Sequence, residues 1–219
     1  AGRRRVGRMY DSVGTLPVEG LAPGTNLLVA GPPMTGKARL ATDLLEAGCV
    51  DGEQSVAVLT RDSARSLRRR YDCLSGAIEE GRAGVVDCVS RQRGRAPRDT
   101  EWVRYVSSPA AITDVGIRLG GYFQRFHETG GPTRVGLVSV STLLMYAELR
   151  RVYRFLHVFT GKVADLDWVS VASMELGDTE ALETLMPLFD GVVRTRESDG
   201  RREARVLGLG GSPTEWTPY

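Results

Sequence analysis

Residues 31–37, with the sequence GPPMTGK, restrict the fold of this chain more than any other segment. They follow a short apolar run at 25–30 and precede a segment at 37–48 whose leucines recur at helical spacing. A strand, a glycine-rich turn and a helix in this order are typical of a phosphate-binding loop, in which backbone N–H groups face an anion. We expect the helix to end at Gly48, because glycine is common at helix C-termini.

The loop departs from its motif at one position. The pattern G-x-x-x-x-G-K-[ST] fits from Gly31 to Lys37 but requires a hydroxyl where Ala38 stands. Ala38 has no oxygen to offer a metal ion. The candidate nucleotide-binding residues are Gly31, Pro32, Pro33, Met34, Thr35, Gly36, Lys37 and Ala38. The alternative is a tight turn in a core that no longer binds a nucleotide.

Apolar and amphipathic segments alternate along the rest of the chain. The runs that predict buried strands are 25–30, 54–60, 83–90, 133–141 and 167–174. A single long helix is expected over 142–161. The last part alternates around Asp199-Gly200, a dipeptide typical of hairpin turns. These patterns predict an α/β fold with a mostly parallel sheet, helices on both faces and a C-terminal antiparallel hairpin at one edge.

Composition limits the kind of protein. The chain has 219 residues, 42% of them hydrophobic, which suits a flexible basic arm at 1–9 and a single domain at 10–219. No apolar run approaches the roughly 20 residues that a membrane span needs, and no apolar region follows the basic start, so neither a span nor a secretory signal is predicted. The three cysteines are scattered, which favours buried thiols in a reducing, cytoplasmic setting.

Four stretches resemble the RecA-like P-loop ATPases, and within them the branch of KaiC and RadA with its degenerate archaeal KaiC-like members. They lie at 21–45, 56–70, 135–144 and 188–216. The first resembles that branch's strand, loop and helix, and the third its Walker B segment. The last resembles its closing hairpin and final strand. The resemblance implies a RecA-like fold and a site for ATP or ADP.

The departures from the family concern catalysis. The family holds Mg²⁺ through the residue after the loop lysine, here Ala38, and through a Walker B aspartate, here Val138 before Ser139. Since both oxygen ligands are missing, no metal site formed by protein side chains is expected. A magnesium ion would then be held only by the nucleotide and by water, which it retains readily.

Two further groups that the family uses in catalysis are replaced in whole or in part: the acidic pair that supplies the base, and the cations of the final strand. The acidic pair after the second strand corresponds to Asp62 and Ser63, so Asp62 is the one possible residual acid. A surface residue or helix cap is the alternative for Asp62. The family's final strand often carries Lys-x-Arg, which reaches the neighbouring subunit, but Gly208 and Gly210 stand at those places.

The resemblance therefore favours a degenerate protein that binds a nucleotide at most and acts through a protein partner or self-association as a regulatory or scaffold pseudo-ATPase. One alternative is a slow ATPase with Asp62 as its base. Another is a DNA-binding accessory of recombination or repair that uses the basic stretches at 2–8, 65–70 and 91–98. The short acidic loop at 175–180 disfavours tight nucleic-acid binding, so only weak binding is expected.

Overall fold

The computed structural model describes residues 9–12, 16–95, 97–177 and 179–219. Apart from Met9, the basic arm expected at 1–9 lies outside these residues, and with it the basic stretch at 2–8. The described chain begins with a small antiparallel ribbon of β1 (Tyr10–Asp11) and β2 (Gly20–Leu21).

One large sheet organises the molecule. Within the described ranges its strands are β3 (Asn26–Gly31), β4 (Gln54–Leu59), β5 (Ala83–Asp87), β6 (Val103–Tyr105), β7 (Thr133–Val138), β8 (Val169–Glu175), β9 (Gly191–Ser198), β10 (Arg201–Leu207) and β11 (Thr217–Pro218). Their order is β11-β10-β9-β3-β8-β7-β4-β5-β6. All pairs from β9 to β6 are parallel, whereas β9, β10 and β11 pair antiparallel. The predicted sheet, with its hairpin at one edge, is confirmed.

Helices cover both faces of this sheet, as expected. They are α1 (Lys37–Val50), α2 (Ala64–Arg70), α3 (Asp72–Glu79), α4 (Ile112–Thr129), α5 (Val140–Leu144), α6 (Leu149–Asp165), α7 (Thr179–Leu185) and a short 3₁₀ helix, Met186–Leu188. The first three pack on one face, and the other five, α4 to α7 and the 3₁₀ helix, pack on the opposite face. Strand β3 is buried on both sides, with Leu27 and Val29 toward α1 and Leu28 and Ala30 toward α4 and α6. This double burial explains the continuous apolar runs of the sequence.

Two helix boundaries differ from expectation. Helix α1 does not end at Gly48 but continues to Val50. Glycine is needed at this position for close approach, because a Cβ on Gly48 would lie 2.5 Å from Nε of Arg134. The expected long helix at 142–161 is also wrong, since α5 and α6 are separate. The chain leaves β7 at Ser139, whose φ of 78° ends the strand earlier than the sequence pattern predicted.

Candidate functional site

The loop between β3 and α1 has the backbone geometry that its glycines predict. Gly36 precedes α1 with φ 78°, a left-handed conformation that glycine adopts without strain. Gly31 ends β3 against β9, where a Cβ would lie 1.9 Å from Oγ1 of Thr195. Met34 also has a positive φ of 67°, and its side chain is exposed. Two of the motif's glycines are therefore required by local structure, whether or not a ligand binds.

Hydrogen bonds hold the loop in this shape. Oγ1 of Thr35 donates to the carbonyl of Pro32 at 2.9 Å and therefore accepts from Oγ1 of Thr195 at 2.7 Å. The hydroxyl of Tyr219 donates to the carbonyl of Thr35. No side chain in the described part of the chain caps the start of α1, so the first N–H groups of this helix have no side-chain partner there.

Lys37 lies at the base of the loop. Its Nζ donates to the carbonyl of Pro32 at 2.7 Å and lies 3.8 Å from Oε1 of Glu175. The side chain is 8% exposed. Burial lowers the pKa of Lys37, and the nearby carboxylate of Glu175 partly opposes that effect. The ammonium is thus held inside the loop by a carbonyl and a carboxylate.

Glu175 is a site residue that the sequence interpretation missed. It was assigned to a short acidic loop, but it is the last residue of β8 and pairs with Gly31 on β3. Its Oε1 also lies 3.3 Å from Nη1 of Arg61, which follows β4. The available signal was its position directly after a buried strand, because parallel strands end at a common edge of the sheet.

These groups line a cleft of about 280 Å³ in front of the loop. The described residues that line it are Met34, Gly36, Lys37, Ala38, Arg39, Arg61, Ser139, Ser173, Met174, Glu175 and Arg202. Four of these side chains are cationic and one, Glu175, is acidic. The structure therefore brings Met34, Gly36, Lys37, Ala38 and Ser139 of the candidate set to one electropositive cleft.

The oxygen donors in this cleft do not fit a magnesium ion. Ala38 contributes a methyl group, and Val138 is 2% exposed within the apolar cluster beside α1. Ser139 lines the cleft, but its Oγ hydrogen-bonds Oγ1 of Thr142 at 2.9 Å. The one carboxylate, Glu175, already contacts two cations. Mg²⁺ prefers carboxylate and water oxygens in octahedral geometry, and this donor set does not supply them.

Asp62 is not among the described residues that line the cleft. Its Oδ2 accepts from Nη2 of Arg70 at 2.8 Å, which directs the carboxylate along α2. The next residue, Ser63, caps α2 by accepting from the N–H of Ser66 at 3.2 Å. Asp62 thus has the position of a surface residue at a helix start, which was the alternative interpretation from the sequence.

The hairpin contacts the loop through Arg202, a residue that the sequence interpretation did not single out. Gly208 and Gly210 follow β10 rather than lying in it, and a Cβ on Gly208 would approach the carbonyl of Asp190 at 3.1 Å. Arg202, on β10 itself, lies over the loop, since a Cβ on Gly36 would be 3.3 Å from its Nη1. The guanidinium of Arg202 therefore lies beside the loop of its own chain.

The basic loop at 91–98 is partly committed to internal contacts. Nη1 of Arg91 donates to the carbonyl of Tyr105 at 2.6 Å, and its Nη2 lies 3.1 Å from Oδ1 of Asp99. Arg118 pairs with the same carboxylate. Part of this positive charge is consequently neutralised within the molecule.

The cysteines and helices indicate no other site. Burial raises the pKa of Cys49 to about 11 and that of Cys88 to about 12, while Cys73 is half-buried rather than buried as expected. A search of the described ranges finds no group of three or more His, Cys, Asp or Glu side chains placed to hold a metal ion. None of the helices among these residues combines the length and the apolar character that a bilayer crossing requires.

Comparisons with known proteins give a family and a fold. A model described as "Family of unknown function (DUF7504)" matches residues 24–195, which include the loop and most of the sheet. The crystal structure of KaiC-like protein PH0186 from the hyperthermophilic archaeon Pyrococcus horikoshii OT3 is similar, with a TM-score of 0.64 and 17% identity. The match covers 93% of this chain and 87% of that one. At this identity the likeness shows a common fold alone. The comparison with curated proteins found no match.

Proposed function

Because the chain belongs to the DUF7504 family of unknown function and has the fold of a KaiC-like protein, we propose that it binds a nucleotide without hydrolysing it efficiently. The observation that carries this proposal is the electropositive cleft at the loop. There Lys37 and the start of α1 face the space in front of Gly36, while Ala38 and Val138 offer a metal no oxygen. The loop N–H groups and one ammonium are sufficient to bind a phosphate group.

The catalytic side of the site is weak for physical reasons. Phosphoryl transfer depends on positioned metal ions and on cations that stabilise the transition state, and loss of a transition-state arginine costs roughly 10³–10⁵ in rate. The cleft has a donor set that does not fit Mg²⁺, and Asp62 lies outside it. We therefore place the protein among regulatory or scaffold pseudo-ATPases that act through a protein partner or through self-association.

The test is whether the purified chain, stripped of nucleotide, regains one from a mixture of nucleotides. Native mass spectrometry after removal of free ligand identifies what is bound, and Lys37→Ala is the matched variant. We expect ATP or ADP on the unmodified chain and none on Lys37→Ala. A chain that retains nothing, although folded, would support the alternative of a loop that has lost its ligand.

A slow ATPase is the second candidate, and one observation favours it. Glu175 places a carboxylate 3.8 Å from Nζ of Lys37, so the cleft does contain an acid. This acid differs from Asp62, the residue that sequence considerations put forward. Phosphate release that depends on Glu175 and Lys37 would establish the slow ATPase.

The absence of cations at Gly208 and Gly210 bears on assembly. Since Gly208 and Gly210 carry no cation to a neighbouring subunit, we propose a monomer or weak dimer that does not form rings with ATP. Light scattering with and without ATP measures this.

Any nucleic-acid binding should be weak and steeply salt-dependent, because it would come from counterion release. Anisotropy of labelled oligonucleotides that stays high at physiological salt would favour the accessory-protein alternative.

A further inference from the structure

Arg202 reaches the loop from a fixed strand of the same chain. It lies on β10, opposite Glu197 of β9, and its carbonyl accepts from the N–H of Tyr219 at 3.1 Å. Its guanidinium contacts the loop, since Nη1 would lie 3.3 Å from a Cβ on Gly36. The backbone of Arg202 is therefore held on both sides, while its exposed side chain lines the cleft.

Arg61 approaches the cleft from the opposite side. It follows Thr60, whose single Oγ1 proton is shared between the carbonyls of Val138 at 2.6 Å and Ser139 at 2.7 Å. These contacts fix the backbone beside the end of β7 at the residue that precedes Arg61. Its Nη1 lies 3.3 Å from Oε1 of Glu175, so Arg61 and Lys37 share one carboxylate.

The charges of the cleft do not balance without a ligand. The described lining residues include four cationic side chains and one carboxylate, that of Glu175, which contacts Lys37 and Arg61. Asp43, at 3.4 Å, neutralises one of them, Arg39. Lys37, Arg61 and Arg202 then have a single acid between them within the cleft. A polyphosphate carries several negative charges at neutral pH and matches such a cluster, because guanidinium groups bind phosphate oxygens in bidentate geometry.

We propose that the cleft binds the polyphosphate group of a nucleotide without a metal ion, and that Arg61 and Arg202 of the same chain supply the positive charge that a metal ion would otherwise provide. This inference rests on the proposed function and adds to it the charge state of the ligand. In the ligand-free protein, Glu175 is the counter-charge of Lys37 and Arg61. The phosphate replaces Glu175 when it binds.

The full chain, stripped of nucleotide, is titrated with ATP by calorimetry in EDTA and in Mg²⁺. Inorganic tripolyphosphate is then used to compete with ATP. We expect ATP to bind at least as tightly in EDTA as in Mg²⁺, and tripolyphosphate to displace it. Arg202→Gln and Arg61→Gln should each weaken binding about tenfold in EDTA, the effect of one lost charge-assisted contact. The matched control is Arg201→Gln, whose exposed side chain points to the other face of β10 and should change affinity less than about twofold.

Glu175→Gln provides a variant that gains affinity, so the test does not depend on losses that misfolding could cause. Removal of this carboxylate should strengthen ATP binding about threefold or more in EDTA, since the two cations no longer share an internal counter-charge. Unchanged affinity in Arg202→Gln, absence of competition by tripolyphosphate, or binding that requires Mg²⁺ would overturn the inference and leave nucleotide binding itself intact. A wild-type chain that binds neither ATP nor tripolyphosphate would instead refute the proposed function.

Discussion

Replacement of Lys37 by methionine should separate ligand binding from folding. The ammonium makes a 2.7 Å hydrogen bond to the carbonyl of Pro32, and that carbonyl also accepts from Thr35 at 2.9 Å. Glu175 likewise keeps Arg61 as a partner at 3.3 Å. Neither acceptor is therefore left alone in Lys37→Met, and methionine fills the same narrow space with an adaptable apolar chain.

The expected magnitudes follow from these contacts. The free energy of unfolding should change by less than about 1 kcal/mol, because the lost hydrogen bond is offset by relief of a buried charge. Nucleotide binding should lose about 1.5–3 kcal/mol, the value of a hydrogen bond to a charged group, which corresponds to a roughly 10- to 150-fold weaker Kd.

Urea unfolding and calorimetry with ATP measure the two quantities on the same preparation. Lys162→Met is the matched control, since it removes the chain's other lysine from an exposed position on α6 and should alter neither. A loss of about 3 kcal/mol or more in unfolding free energy, the range expected when a buried pair is broken, would show that Lys37 is structural and would refute this reasoning.

The difference in unfolding free energy between the wild type and Lys37→Met should change with pH in one direction. Burial lowers the pKa of Lys37 in the folded chain, so the unfolded chain binds its proton more tightly. The cost of the buried charge is fully present below the folded pKa and declines as pH rises from there toward the ordinary lysine value. Stability of the wild type relative to Lys37→Met should therefore increase with pH over that alkaline interval.

Other substitutions test the packing around the site. Gly31→Ala should destabilise the fold by about 1–3 kcal/mol in urea unfolding, because its Cβ would overlap the side chain of β9 that the loop contacts, whereas Gly177→Ala, with open space around it, should cost far less. Glu53→Ala should lower the free energy of unfolding by about 3–5 kcal/mol, since it breaks a buried ion pair whose two side chains are each 3% exposed and leaves Arg134 with the carbonyl of Leu44 and a 4.0 Å contact to Asp51; the double change of Glu53 and Arg134 to methionine should recover most of that loss. In native protein only Cys73 should react with a thiol reagent at neutral pH, and slowly, because burial raises its pKa too; the other two cysteines should react at the rate of unfolding, because they are buried out of reach of the reagent.

The sequence predicts those parts of the site that are contiguous in the chain. Residues 31–37 could be placed between a strand and a helix because the turn depends on local backbone geometry, above all at Gly36. The hairpin turn at Asp199-Gly200 could be placed for the same reason, and both residues have positive φ. The mostly parallel sheet followed from strands that are apolar on both faces.

Residues that the topology brings together could not be predicted in this way. Glu175 reaches Lys37 because β8 lies next to β3, and Arg202 reaches Gly36 because β10 folds back over the loop. No local sequence pattern indicates that β8 lies next to β3 or that Arg202 lies beside Gly36. The expected helix end at Gly48 was wrong for a similar reason, since that glycine makes room for Arg134 from another strand. The family's Lys-x-Arg is replaced by Gly208 and Gly210, and no local pattern indicated that Arg202 would lie beside the loop of the same chain.

The loop is expected to hold a nucleotide without hydrolysing it. The most direct test measures phosphate release from ATP with saturating Mg²⁺, on the same nucleotide-stripped sample for which calorimetry has measured binding. We predict measurable ATP binding that is lost in Lys37→Ala, together with phosphate release at the background rate in both proteins. Robust Mg²⁺-dependent release from the unmodified chain, abolished by Lys37→Ala, would contradict the account and identify a working ATPase.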